Sequence, residues 1–234
     1  MRTYILFLEF GIYMIGCFFK KIKHTSLKKK SKELSGEYLR KVVNGWSSFI
    51  IRKVPMKLDV KGIENIPEEA CLFACNHQSL LDIPVMLNVI PRKVGFVAKK
   101  ELKKSPMITY WMEQIKCVFI DRQNPREGIK AIISGSEYLK EGHSMLIFPE
   151  GTRSRSSNMN EFKKGSLKMA FKSGRPIVPV TLDGTYKSYE GNNNKLNGSE
   201  VKIIFHEPIY LNDMSKEEKD SIHLKVQDII KSSI

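Results

Sequence analysis

The chain has 234 residues, 41% of them hydrophobic and 27% charged, a globular composition that excludes a wholly disordered or collagen-like polypeptide. That length buries one substantial core, so one folded domain is expected rather than several. The net charge is +14, and residues 1–60 hold 13 Lys/Arg against 4 Asp/Glu, so the basic character gathers at the N-terminus instead of on a folded nucleic-acid-binding face.

Residues 4–19 are apolar except for Glu9 and two glycines. At 16 residues the run is shorter than the roughly 20 that cross a bilayer as a helix. Lys20, Lys21, Lys23, Lys28 to Lys30 and Lys32 follow at once. This pattern predicts attachment to the cytoplasmic face of the cell membrane, by a single N-terminal anchor or by a helix lying in one leaflet. A secretory signal is the rival reading, since Met14-Ile-Gly-Cys17 resembles a lipoprotein cleavage site. Glu9 and the lysine block argue against it. A second stripe, Leu39, Val42, Val43, Trp46, Phe49 and Ile50, recurs at helical spacing. It reads either as a membrane-contacting helix with Trp46 at the interface or as a helix packed on the domain. Residues 1–53 are therefore set apart as anchoring helices, and 54–234 as the folded domain.

From residue 56 onward, short β-rich runs alternate with helical stretches. Strands are predicted at 56–61, 71–75, 94–98, 117–120, 144–148, 177–181 and 201–206. Helices are predicted at 79–89, 106–115, 126–141, 165–173 and 215–231. This is an α/β pattern, with a mixed, largely parallel sheet flanked by helices. Residues 190–199, rich in Asn and Gly, read as an exposed loop. The four cysteines, Cys17, Cys71, Cys75 and Cys117, have no CxxC or metal spacing and read as reduced, buried thiols.

Three polar sites fall at predicted strand ends, where α/β sheets gather their active sites. In Cys75-Asn-His77-Gln-Ser-Leu-Leu-Asp82, a neutral His77 is a candidate general base and Asp82 a carboxylate able to hold its other ring nitrogen. The same residues also form a capping box, with Ser79 as cap and Asp82 at the third helical position. In Phe148-Pro-Glu150-Gly151-Thr152-Arg153, glycine permits a tight turn and the guanidinium suits a phosphate. The other reading is a surface turn with an ion pair. Ile120-Asp121-Arg122 is either an anion contact or a structural salt bridge. Ser79 lacks a Gly-x-Ser-x-Gly elbow, and no Gly-rich nucleotide loop is present.

Taken together, Asn76-His77-x4-Asp82, Phe119-Ile-Asp-Arg122, Phe148-Pro-Glu-Gly-Thr-Arg153 and Ile177-Val-Pro-Val180 resemble the four ordered motifs of the glycerolipid acyltransferases. The similarity is greatest to the bacterial PlsC-type 1-acyl-sn-glycerol-3-phosphate acyltransferases and spans about residues 38–210. The resemblance implies that His77 is the base and Asp82 its partner. It implies that Lys99 and Arg122 line the phosphate side, and that Glu150, Gly151, Thr152 and Arg153 bind the acceptor. Thr109 stands where the family pattern has Gly. Phe162-Lys-Lys-Gly165 resembles the lead into a family helix, Val178 and Val180 would wall the acyl pocket, and residues 4–53 would match a two-helix membrane motif. The implied reaction moves an acyl chain from a thioester to the sn-2 hydroxyl of lysophosphatidate. Acyl carrier protein or coenzyme A is the donor, membrane lipids are the other partners, and no metal or cofactor is expected. Other lysophospholipids, glycerol 3-phosphate, or a non-catalytic membrane module are the alternatives.

Overall fold

The computed structural model describes residues 2–121, 124–212 and 214–234. Seven strands form one sheet: β1 (Lys57–Lys61), β2 (Leu72–Cys75), β3 (Val94–Lys99), β4 (Val118–Ile120), β5 (Ser144–Ile147), β6 (Ile177–Asp183) and β7 (Glu200–Phe205). Their spatial order is β1-β7-β6-β2-β5-β3-β4, with β6 and β7 antiparallel and every other pair parallel. This is the mixed, largely parallel sheet expected. β2 lies at its centre, and its residues Leu72, Phe73, Ala74 and Cys75 are all fully buried. A parallel strand covered on both faces requires such an unbroken apolar run.

The flanking helices are α1 (Arg2–Lys30), α2 (Lys32–Lys53), α3 (Asp82–Val89), α4 (Pro106–Gln114), α5 (Pro125–Lys140), α6 (Lys168–Ser173) and α7 (Lys216–Lys231). Their ends carry the expected chemistry. Asn124 caps α5 with Pro125 in the first turn, and Ser215 with Glu218 makes a reciprocal capping box on α7. α6 begins three residues later than the motif suggested, because turns occupy the stretch from Lys164 to Leu167. At six residues it supplies little dipole field.

The two N-terminal helices fold back on each other. Ser31 breaks them apart and caps α2 through the Leu34 amide. Lys53 Nζ then meets Glu9 Oε1 at 2.8 Å, and Tyr13 stacks on Phe49 with ring centroids 4.5 Å apart. Leu39 and Val42 of α2 are buried in the same core as Phe73, Val85 and Val180. The helical stripe of α2 thus faces the domain, and Trp46 packs against that core rather than sitting at an outer interface. α1 behaves differently. Tyr4, Leu8, Ile12, Ile15 and Phe19 form a stripe that is 61–80% exposed. Among the described residues, no helix is long and apolar enough to cross a membrane.

All four cysteines are buried and unpaired. Burial pushes the Cys71 thiol up to about 12, and Cys75 and Cys117 are raised as well. A thiol-reactive dye at neutral pH is expected to label native protein very slowly and all four cysteines after denaturation. Rapid labelling of the native form would show that the core opens locally.

Candidate active site

The sheet order brings the chemistry together. β6, β2 and β5 are neighbours, and β2 runs parallel to both others. Their C-terminal ends therefore lie along one edge. β2 delivers His77, β5 delivers Glu150 to Arg153, and β6 delivers Asp183 to Thr185. β3, next along and also parallel, ends there at Lys99, whose side chain is exposed. Arg122 lies outside the described residues.

His77 Nδ1 is 2.6 Å from Asp82 Oδ2. Asp82 is fully buried, whereas the imidazole keeps 14% of its side-chain surface exposed. Asp82 Oδ2 also accepts from the amides of Gln78, at 2.7 Å, and Ser79, at 2.9 Å. Its Oδ1 accepts from the Thr185 hydroxyl at 2.5 Å. A carboxylate with this many donors stays fixed in contact with the imidazole. It holds the Nδ1 proton and leaves Nε2 as the nitrogen able to take another. The imidazole lies flat on Phe148, with centroids 4.0 Å apart and planes 17° apart, which fixes the ring plane.

The capping reading is half realised. The Asp82 carboxylate does accept from the Ser79 amide, but α3 starts at Asp82 itself with Leu81 at the cap position. Ser79 Oγ instead accepts from the Leu81 amide and donates to Glu190 Oε2 at 2.5 Å. One carboxylate thus serves both the helix start and the histidine.

The turn after β5 supports the same loop. Gly151 has φ +71°, and a Cβ there would meet Lys163 Nζ at 2.8 Å. Lys163 therefore lies against this turn, a cation that the sequence offered only as a lead into a helix. Thr152 is exposed at the turn. Glu150, expected among the residues that bind the acceptor, is buried. It is 2% exposed, and its oxygens accept from the His77 amide at 2.6 Å and from Asn160 at 2.8 and 2.9 Å. Burial pushes its carboxyl upward, opposed by these hydrogen bonds. The Ser154 amide donates to the His77 carbonyl at 2.8 Å, which fastens the two motifs together. Glu150 is thus a splint for the backbone of His77.

Arg153 is partly exposed, and its Nη1 meets Glu190 Oε1 at 2.7 Å. Glu190 starts the stretch expected to be an exposed loop. It begins a short 3-10 helix instead, and its side chain is only 5% exposed. Composition signalled a loop and carried no sign that its first residue turns inward. Asp121 pairs with Lys100 at 3.0 Å, in keeping with the salt-bridge reading of that motif.

A cavity of about 410 Å³ lies between the helical hairpin and the domain. Its walls include Phe10 and Met14 of α1, Trp46 and Phe49 of α2, and Trp111 of α4. Leu80 and Leu81, from the loop between His77 and Asp82, also line it, so the cavity borders that loop. Val178 and Val180 do not wall it. They are fully buried within β6, in the core cluster that also holds Val85 and Phe205.

A family-wide acyltransferase sequence profile matches residues 57–183. The chain is 37% identical over 168 residues to a chloroplast 1-acyl-sn-glycerol-3-phosphate acyltransferase of Brassica napus, covering 70% of this chain and 48% of that protein. It therefore spans about half the length of that relative. It is 35% identical to a probable 1-acyl-sn-glycerol-3-phosphate acyltransferase of Mycoplasma genitalium, covering 75% of this chain and 71% of that one. The crystal structure of the 1-acyl-sn-glycerophosphate acyltransferase PlsC from Thermotoga maritima superposes with a TM-score of 0.87 at 28% identity, covering 99% of this chain and 92% of that one.

Proposed function

The chain belongs to the acyltransferase family, and on that premise we propose that it is a 1-acylglycerol-3-phosphate O-acyltransferase. It moves an acyl chain from a thioester to the sn-2 hydroxyl of 1-acyl-sn-glycerol 3-phosphate, giving phosphatidate for phospholipid synthesis. The observation that carries the reading is the His77–Asp82 pair, whose connecting loop meets two features that the substrates need. Glu190 ties that loop to the guanidinium of Arg153, and Leu80 and Leu81 of the same loop line an apolar cavity of about 410 Å³.

The steps follow from the geometry. His77 Nε2 takes the proton of the acceptor hydroxyl as the oxygen attacks the thioester carbonyl. Asp82 stabilises the imidazolium that forms. The carbon–sulfur bond breaks, and the leaving thiolate takes the proton back from His77. Arg153, with Lys99 and Arg122, holds the acceptor phosphate, while Gly151 and Thr152 let the backbone approach it. The acyl chain lies in the cavity. The thioester is already activated, so the reaction calls for no metal or redox cofactor. The carrier is acyl carrier protein or coenzyme A. Conversion of lysophosphatidate to phosphatidate by purified protein, with each donor in turn, tests the proposal. Turnover of a different lysophospholipid or of glycerol 3-phosphate in preference would reassign the acceptor, and no turnover of any would overturn the activity.

Arg153→Lys is expected to raise the apparent KM for the acceptor several-fold and to leave that for the donor nearly unchanged, because an ammonium does not reproduce the planar fork. Steady-state kinetics with each substrate varied separately decides this, and an equal rise in both would indicate a folding defect.

Residues 1–53 serve as the anchor and 54–234 as the catalytic domain. One face of α1 lines the cavity through Leu6, Phe10 and Met14, while the opposite stripe is exposed and apolar. A stripe of this size on the protein surface marks an interaction surface. Lys20, Lys21 and Lys23 near its end suit the anionic headgroups of the cytoplasmic leaflet at up to about 1 kcal/mol each. The helix lies in one leaflet and delivers lipid substrates directly to the cavity. Deleting residues 1–35 is expected to move the protein to the soluble fraction and to lower activity on long-chain donors, since it removes a cavity wall. High salt alone should not release the full-length form. Release by salt would reduce the contact to electrostatics.

A further inference from the structure

Glu190 belongs to none of the motifs, yet it touches two of them. Its Oε1 accepts from Arg153 Nη1 at 2.7 Å and from the Leu80 amide at 3.0 Å. Its Oε2 accepts from Ser79 Oγ at 2.5 Å. Ser79 and Leu80 belong to the loop between His77 and Asp82, and Leu80 also lines the apolar cavity. The neighbours of Glu190 in its own segment point the same way. Tyr189 and Leu196 line the cavity, and the Leu196 amide donates to Thr3 Oγ1 of α1 at 3.1 Å.

We infer that Glu190 is a positioning residue that aims Arg153 at the acceptor phosphate and fixes it in register with the His77 loop, so that the anion site and the chain-binding cavity are built as one unit. The inference rests on the acyltransferase reading above. Its physical basis is reach and burial. A guanidinium on a flexible side chain is aimed only if one edge is held, and a carboxylate that is 5% exposed and bonded to two further donors is a fixed holder. Arg153 has five N–H donors, and the bond to Glu190 through Nη1 leaves the others for a phosphate. An acidic residue next to an anion site is tolerable only while its charge is spent on such bonds. The hydroxyl, the amide and the guanidinium supply them here.

The test compares Glu190→Ala, Glu190→Gln and Glu190→Asp with the unaltered full-length protein. Glu190→Ala is expected to raise the acceptor KM about tenfold or more while the donor KM stays within about twofold. Glu190→Gln keeps both reach and an accepting oxygen, so it should recover most of that loss. Glu190→Asp keeps the charge but loses one methylene of reach, so it should resemble Ala, and this pair decides the matter if Ala does not fold. A second readout is independent of turnover: thermal protection of the protein by glycerol 3-phosphate, expected in the unaltered protein and in Gln, and weakened in Ala and Asp. An unaltered protein without acyl transfer but with that protection pattern would defeat the activity and keep the role of Glu190. Active protein in which Glu190→Ala leaves both KM values unchanged, or raises both equally, would defeat the inference alone. A lower acceptor KM in Glu190→Ala would also overturn it, since Glu190 would then compete with the phosphate.

Discussion

His77→Ala is expected to lower turnover by about 10²–10⁴ while the protein stays folded, the range typical of a positioned general base. The imidazole follows the end of β2, held by Asp82 on Nδ1 and by Phe148 on its face. Alanine removes the proton acceptor and leaves the Asp82 carboxylate with its donors from Gln78, Ser79 and Thr185. That charge therefore stays satisfied, and the stability cost is small beside the loss of activity. Turnover by purified variant, with the thermal transition measured alongside, checks both halves. Near-normal turnover would remove His77 from the mechanism.

The second large effect is at Asp82. Asp82→Asn is isosteric, and its amide oxygen can face His77, Gln78 and Ser79 while its NH₂ turns to Thr185, whose hydroxyl then accepts. Rearranging a buried network in this way costs about 1–3 kcal/mol. The electrostatic loss is greater in its consequences, because a neutral amide does not stabilise the imidazolium. Turnover is expected to fall about 10²-fold or more, in line with the partner role in a histidine-carboxylate couple. Specific activity per folded molecule is the deciding quantity. If the thermal transition drops and that activity holds, Asp82 is a cap and nothing more.

Most strands were legible because they are short apolar runs between polar turns, and β2, buried on both faces, has no polar residue at all; β1, Lys-Leu-Asp-Val-Lys, shows instead as an alternation of charged and apolar residues. His77 and Asp82 were legible because both sit within seven residues of one strand end, so local spacing brings them together. Glu150 was found, but its burial was not. Its neighbours in sequence suggest a solvent-facing turn, and only the approach of Asn160 and of the His77 amide shows that its carboxylate points inward. Thr185 and Glu190 were invisible for a related reason. Thr185 lies 103 positions from Asp82 and Glu190 lies 111 from Ser79, and no periodicity reports a contact made across the sheet edge. The stripe on α2 had two readings because an apolar helix face looks the same whether it meets lipid or protein. Packing against Phe73 and Val85 decided for protein.

The position of β2 in the sheet also governs how the chain is made. Its two partners are β5 and β6, and β5 begins about 70 residues after β2 ends. At translation rates of about 5–20 residues per second, the central strand waits roughly 4–14 s for its first neighbour and longer for its second. β1 waits longer still, because it pairs with β7 near the end of the chain. The helical hairpin has no such delay, since its contacts are local in sequence. The nascent chain therefore has its amphipathic arm ready before its sheet, while β2 is still unpaired. Any fragment that ends before β6 keeps that strand exposed along one side, which makes it a source of aggregation rather than a smaller working enzyme.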